Sequence, residues 1–70
     1  MAEDAALKLA RVYSLVAEMY AVNADIEGMR AFNTNRSSHG YSIGYDEDAF
    51  AHEADKLRGI SARLAEIAGH

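Results

Sequence analysis

The sequence predicts an all-α fold, a helical hairpin of two long antiparallel helices that assembles as a homo-oligomeric helical bundle. Three observations lead to this prediction. Apolar residues recur every three or four positions in both halves of the chain, proline is absent, and turn-forming residues are concentrated between the halves. The 70 residues allow one small domain, residues 1–70, with a loop at about residues 36–45.

The first helix is predicted over about residues 3–35, because its apolar residues alternate steps of four and three and so share one helix face. This seam consists of Leu15, Met19, Val22, Ile26 and Met29. Gly28 lies inside the helix, where glycine costs about 1 kcal/mol relative to alanine. We therefore expect Gly28 to mark a bend or a close helix contact.

A second apolar strip lies in the same helix and is called the N-terminal strip. It consists of Leu9, Val12, Tyr13, Val16 and Tyr20. The strip widens the apolar face beyond what one partner helix covers, and tyrosine suits interfaces that are partly apolar and partly wet. The N-terminal strip is therefore predicted to be the oligomer interface.

The second helix is predicted over about residues 46–68. It begins with the acidic run at 46–48, which suits the positive end of the helix dipole, and Gly69 ends it. The predicted seam is Phe50, Ala54, Leu57, Ile60 or Ser61, Leu64 and Ile67.

The two helices differ in length, since about 33 residues span roughly 50 Å and about 23 residues span roughly 35 Å. When the second helix folds back, about ten residues at the N-terminus stay uncovered, and these include Leu7 and part of the N-terminal strip. Such a patch favours self-association. The simplest assembly is an antiparallel dimer that forms a four-helix bundle, and larger rings are also possible.

Composition and charge exclude several classes of protein. The chain has 11 acids, 7 bases and a net charge of −4, so broad affinity for a nucleic acid polymer is not expected. Without cysteine there is no disulfide or thiolate metal site, and charges interrupt the apolar stretches every few residues, so no membrane span is predicted. The acidic N-terminus lacks the bases of a signal peptide, which predicts a cytoplasmic protein of a cell or an infected host.

The middle segment, residues 28–45, is the net-positive part of the chain and combines arginines, aromatic rings and amides. Such residues can bind phosphate, stack on a planar ring and read its polar edge, as a nucleotide-like ligand requires. The predicted ligand-binding residues are Arg30, Asn33, Asn35, Arg36, His39, Tyr41 and Tyr45. The alternative is a structural lid, in which Tyr41, Ile43 and Tyr45 fold over the open end of the hairpin. The acids at 46–48 disfavour phosphate at the second helix, so the arginines would have to bind it.

Catalytic and metal sites receive little support from the sequence. Asp48 and His52 share a helix face, but carboxylate-bridged metal bundles use Glu-x-x-His motifs, which the sequence lacks. Ser37 or Ser38, His39 and Asp46 supply the residue types of a nucleophilic triad, yet triads are defined by geometry. The prediction is therefore a protein without catalytic residues, metal or cofactor, and not an enzyme.

Two segments, ADIEGMRAFNTNR (24–36) and GYSIGYDEDAF (40–50), together resemble short uncharacterised helical proteins encoded by tailed bacteriophages. The predicted architecture is also similar to that of phage anti-defence proteins. Some of those proteins sequester cyclic nucleotide signals, and others block host proteins directly. The resemblance includes no catalytic motif and transfers no binding residue to this chain.

Two main functional hypotheses follow. The first is an oligomeric, non-enzymatic binding protein, of the phage anti-defence type, that sequesters a small anionic nucleotide-like signal with residues 30–45. The alternative is a protein-binding helical module that inhibits or adapts a host protein. A structural role in a phage particle is a third hypothesis.

Overall fold

The structure is a computed structural model that describes the backbone of residues 2–69 and the side chains of residues 4–69. It contains two helices, α1 at Ala2–Ser38 and α2 at Glu47–Ala68, which pack against each other. The predicted all-helical hairpin is therefore confirmed for the single chain. Neither helix, over the residues described, is long and apolar enough to cross a membrane.

Helix α1 continues three residues beyond the predicted end at about residue 35, so Ser37 and Ser38 belong to its last turn. It ends in a Schellman motif: the N–H of Tyr41 donates to the carbonyl of Arg36 (2.9 Å) and that of Gly40 donates to the carbonyl of Ser37 (3.1 Å). Gly40 adopts φ +78°, a left-handed conformation that glycine tolerates best. The glycine at position 40 therefore fixes where α1 ends.

Helix α2 begins after Asp46, which acts as the N-cap rather than as the first helical residue. The Asp46 side chain accepts a hydrogen bond from the backbone N–H of Ala49 at 3.0 Å. At the other end, the N–H of Gly69 donates to the carbonyl of Ala65 at 2.9 Å. Both ends thus satisfy backbone groups that would otherwise lack partners within the helix.

The interface between the helices follows the two predicted seams. Leu15, Val22 and Ile60 form the buried cluster, and Met29 is buried as well. The partly buried residues that pack on this cluster are Met19, Ile26, Leu57, Leu64 and Ile67. At the position where the sequence allowed Ile60 or Ser61, Ile60 is the buried residue. No side chain described in the structure is fully buried, because two helices cannot enclose a core.

The hairpin is a flat layer whose Cα atoms extend over 59 × 16 × 9 Å. One side, called the charged face, carries a groove between the helices lined by Glu18, Asp25, Asp55, Lys56 and Arg63, among others. The opposite side carries a groove lined by Met19, Asn23, Leu57, Ile60, Ser61 and Leu64. Helix geometry places the N-terminal strip on this second side, which we call the apolar face.

Candidate functional site

The loop between the helices is held by the side chain of Asn33 in α1. Its Oδ1 atom accepts hydrogen bonds from the backbone N–H groups of Gly44 (3.0 Å) and Tyr45 (2.9 Å). Its Nδ2 atom donates to the carbonyl of Tyr45 at 2.8 Å. The structure therefore places Asn33 as an internal anchor of the loop, whereas the sequence suggested that it reads the edge of a ligand.

Arg36 lies one turn further along α1 and is held in place by the same loop. Its Nε atom donates to the carbonyl of Ser42 at 2.6 Å. The guanidinium carbon lies 5.6 Å from the ring centre of Phe32 and 5.5 Å from that of Tyr41. Such cation–π contacts orient the group, while its two terminal nitrogens have no acceptor among the residues described.

Phe32 completes this arrangement and was not predicted from the sequence. Its ring packs edge-on against the ring of Tyr45, with centres 5.5 Å apart at 70°. A Cβ atom at Gly44 would overlap the Phe32 ring, so glycine allows the loop backbone to lie directly against it. The signal in the sequence was the four-residue spacing from Phe32 to Arg36, which puts both side chains on one face of α1.

The loop leaves its aromatic side chains accessible. Tyr41 is 65% exposed, and Ile43 and Tyr45 are also exposed. These residues do not join the buried cluster between the helices, so the loop closes over the Phe32–Arg36 pair and not over the core. The result combines features of both hypotheses, an internally bonded loop and an accessible ring beside an arginine.

Three other predicted ligand-binding residues lie outside this contact network. Arg30 pairs with Glu27 at 3.2 Å on the exposed side of α1. His39 lies at the end of α1 with its Nδ1 atom 2.8 Å from the carbonyl oxygen of Asn35. Asn35 takes part through its backbone carbonyl, which accepts a hydrogen bond from Ser38, and not through its side chain. Of the predicted ligand-binding residues, the structure therefore brings together Asn33, Arg36, Tyr41 and Tyr45.

The residues considered above for a nucleophilic triad or a metal site have the following positions in the structure. Ser38 Oγ lies 3.4 Å from His39 Nδ1, but Asp46 caps α2 instead of contacting the histidine. Among the residues whose side chains are described, no group of three or more His, Asp or Glu residues is placed to hold a metal ion. Asp48 and His52 are exposed on the first turns of α2.

The N-terminal strip is only partly covered by α2. Tyr13 and Tyr20 are each 66% exposed and Leu9 is also exposed, whereas Val12 and Val16 are half-buried. The strip occupies a sector of about 100° that contains no charged residue between positions 4 and 24. An accessible apolar surface of this kind is typical of a contact with another protein.

Glu53 is a buried acid in the first half of α2, and the sequence analysis did not single it out. It is 9% exposed, and its Oε1 atom accepts from Lys56 Nζ at 3.0 Å. Its Oε2 atom is buried and has no hydrogen-bond partner. Position 53 lies three residues after Phe50 and four before Leu57, so the seam spacing pointed to this residue although its charge did not.

Comparison of the chain with protein-family models, with curated proteins and with solved structures found no match.

Proposed function

We propose that this chain is a non-enzymatic, oligomeric binding protein that sequesters a small anionic nucleotide-like ligand at its loop end. The observation that carries this proposal is the state of Arg36. Its guanidinium is fixed by Phe32, Tyr41 and the carbonyl of Ser42, yet its terminal nitrogens retain donors that no described residue uses. A donor that is already oriented loses less entropy on binding.

The chemistry beside Arg36 suits an anion attached to a planar ring. A guanidinium can bind phosphate through two parallel hydrogen bonds, and an exposed tyrosine ring can stack on a base. Tyr41 supplies such a ring next to Arg36. In this proposal Arg36 and Tyr41 contact the ligand, Asn33 and Tyr45 shape the loop, and His39 lies at its edge.

Self-association is the second part of the proposal. The chain has 5431 Å² of accessible surface, against about 4,300 Å² for a compact monomer of its mass. The excess of about 1,100 Å² is comparable to the roughly 800 Å² that each partner buries in a standard interface. The apolar face is the surface that a second copy would cover, which gives a four-helix bundle as the simplest assembly.

The biological setting that fits these features is that of a phage anti-defence protein in the host cytoplasm. A small protein that lowers the free concentration of a signalling molecule by binding it needs a high affinity and a high copy number, and it needs no catalysis. We infer the biological setting from the sequence resemblance. We infer the ligand chemistry from the side chains of Arg36 and Tyr41.

Calorimetric titration with a panel of cyclic and linear nucleotides tests the proposed site. Arg36→Ala should weaken binding by about 1.5–3 kcal/mol, the range of a charge-assisted hydrogen bond, and should leave the assembly intact. Arg58→Ala is the matched control, because Arg58 is an exposed arginine on α2 that pairs with Asp55. Absence of nucleotide binding by the wild type, or equal losses in both variants, would contradict the proposal.

A protein-binding helical module is the second candidate function. It is favoured by the exposed apolar side chains of Leu9, Tyr13 and Tyr20, which could equally contact a host protein. This candidate predicts that Tyr13→Ser abolishes capture of one specific host protein while the purified chain stays monomeric. A stable homo-oligomer that buries the same residues would exclude this use of the surface.

A further inference from the structure

The charged face carries a groove that continues along much of the hairpin. Its central part has a volume of about 520 Å³, and its outer part, of about 360 Å³, shares Glu18 and Arg63 with it. The buried side chains of Val22 and Ile60 line the central part. The groove thus runs between the helices over an apolar floor, on the side that an assembly through the apolar face leaves accessible.

The two walls of the central part carry opposite charges. On α1, Glu18 and Asp25 are seven residues apart, and on α2, Lys56 and Arg63 have the same spacing. Seven residues make two helical turns, so the members of each pair lie on one side of their helix, about 10 Å apart. Asp55 also lines the α2 wall, but it pairs with an arginine of its own helix at 2.6 Å. The α1 wall is therefore negative and the α2 wall positive.

The four charges on the walls are available to a partner. Glu18 and Arg63 lie 3.9 Å apart across the groove, and their side chains are 54% and 66% exposed. An exposed ion pair of this length contributes little to stability, so either group can turn to a partner at little cost. Lys56 bonds to Glu53 but keeps 45% of its side chain exposed. Asp25 forms no ion pair with any residue that the structure describes.

We propose that this groove binds an amphipathic α-helix of another protein. That helix carries two bases seven residues apart on one edge, two acids at the same spacing on the other edge, and a ridge of apolar residues between them. Its bases face the α1 wall and its acids face the α2 wall, which selects the partner and its register. Ala21 and Gly59 line the groove without bulky side chains, so the ridge reaches Val22 and Ile60 on the floor.

The charge pattern identifies a helix of another protein rather than a second copy of this chain. Helix α1 contains no two bases seven residues apart. Helix α2 contains one such pair, Lys56 and Arg63, but its apolar ridge already packs against α1. The proposed docking uses neither the loop nor the apolar face, so it goes beyond nucleotide binding and is independent of it.

NMR titration of the full-length protein at low salt tests this surface with a synthetic helical peptide of about 20 residues. The peptide has a ridge of alanine and leucine, two lysines seven residues apart on one edge and two glutamates seven residues apart on the other. Binding should shift the amide signals of Ala21 and Gly59 in the groove and leave those of Tyr13 and Tyr20 on the apolar face unchanged. A control peptide of the same composition, with one lysine and one glutamate on each edge, should bind about tenfold more weakly.

Charge reversal in the protein tests the predicted pairing. Asp25→Lys should weaken binding of the first peptide about fivefold or more, because a lysine then faces a lysine. A peptide in which glutamate replaces the lysine that faces position 25 should restore binding to this variant. Asp48→Lys is the matched control, since Asp48 is an exposed acid outside the groove, and the same change of charge there should leave binding unaltered.

The outcomes that would overturn the proposal are equally specific. They are absence of peptide binding by the wild type, shifts confined to Tyr13 and Tyr20, equal binding of the two peptides, and no recovery of Asp25→Lys with the altered peptide. Amide signals of Ala21 and Gly59 that shift with protein concentration, without any peptide, would also overturn it, because a second copy would then fill the groove.

Discussion

At the scale of single residues, the loop depends on a few side chains that each make several contacts. Asn33 bonds to two backbone N–H groups and one carbonyl. Arg36 connects the carbonyl of Ser42 with two aromatic rings. The sequence identified both residues as chemically capable, but it could not show which of their atoms the loop itself uses, because residues 33 and 45 are far apart along the chain.

Replacement of Asn33 by alanine tests its role as an anchor. Asn33→Ala removes all three hydrogen bonds, and we expect a loss of about 1–2 kcal/mol in the free energy of unfolding, reduced because water can replace some of them. Amide exchange at Gly44 and Tyr45 should accelerate strongly. Asn35→Ala is the control, since the structure uses only the carbonyl of Asn35; an equal effect of both variants would show that Asn33 is not the anchor.

At the scale of helices, the sequence predicts the periodic apolar seams. It misses features that depend on single residues, such as the end of a helix or a buried acid. The seams were predicted correctly because burial against one neighbour selects apolar residues every three or four positions. The end of α1 was placed too early, although Gly40 was a visible signal for a Schellman motif. Glu53 was missed because a charged residue is normally assigned to solvent, even when it occupies a seam position.

The Schellman motif at the end of α1 makes its own prediction. Gly40→Ala should destabilise the protein by about 1 kcal/mol, because alanine at φ +78° is strained. Gly28→Ala, inside the same helix, should act in the opposite direction. Chemical denaturation of the two variants measures both effects, and a Gly40→Ala variant as stable as the wild type would show that α1 does not end in this motif.

At the scale of the whole molecule, one property dominates: the hairpin is a single layer with a charged face and an apolar face. Two helices of these lengths leave the N-terminal strip of α1 only partly covered by α2. A second copy on the apolar face would bury that strip and leave the charged face and the loop accessible. Assembly and binding are therefore proposed for different surfaces of one small protein.

Native mass spectrometry of protein purified from defence-competent cells tests the central claim most directly. Wild type should appear as a multiple of the 7.6 kDa chain and should carry an additional small mass. Val12→Asp should reduce it to single chains or unfold it, because an unpaired carboxylate buried in an interface costs several kcal/mol. Ala21→Asp adds the same charge on the charged face and should keep the same number of chains per assembly as the wild type. A helical wild-type monomer at micromolar concentration, with no retained small molecule, would contradict the account.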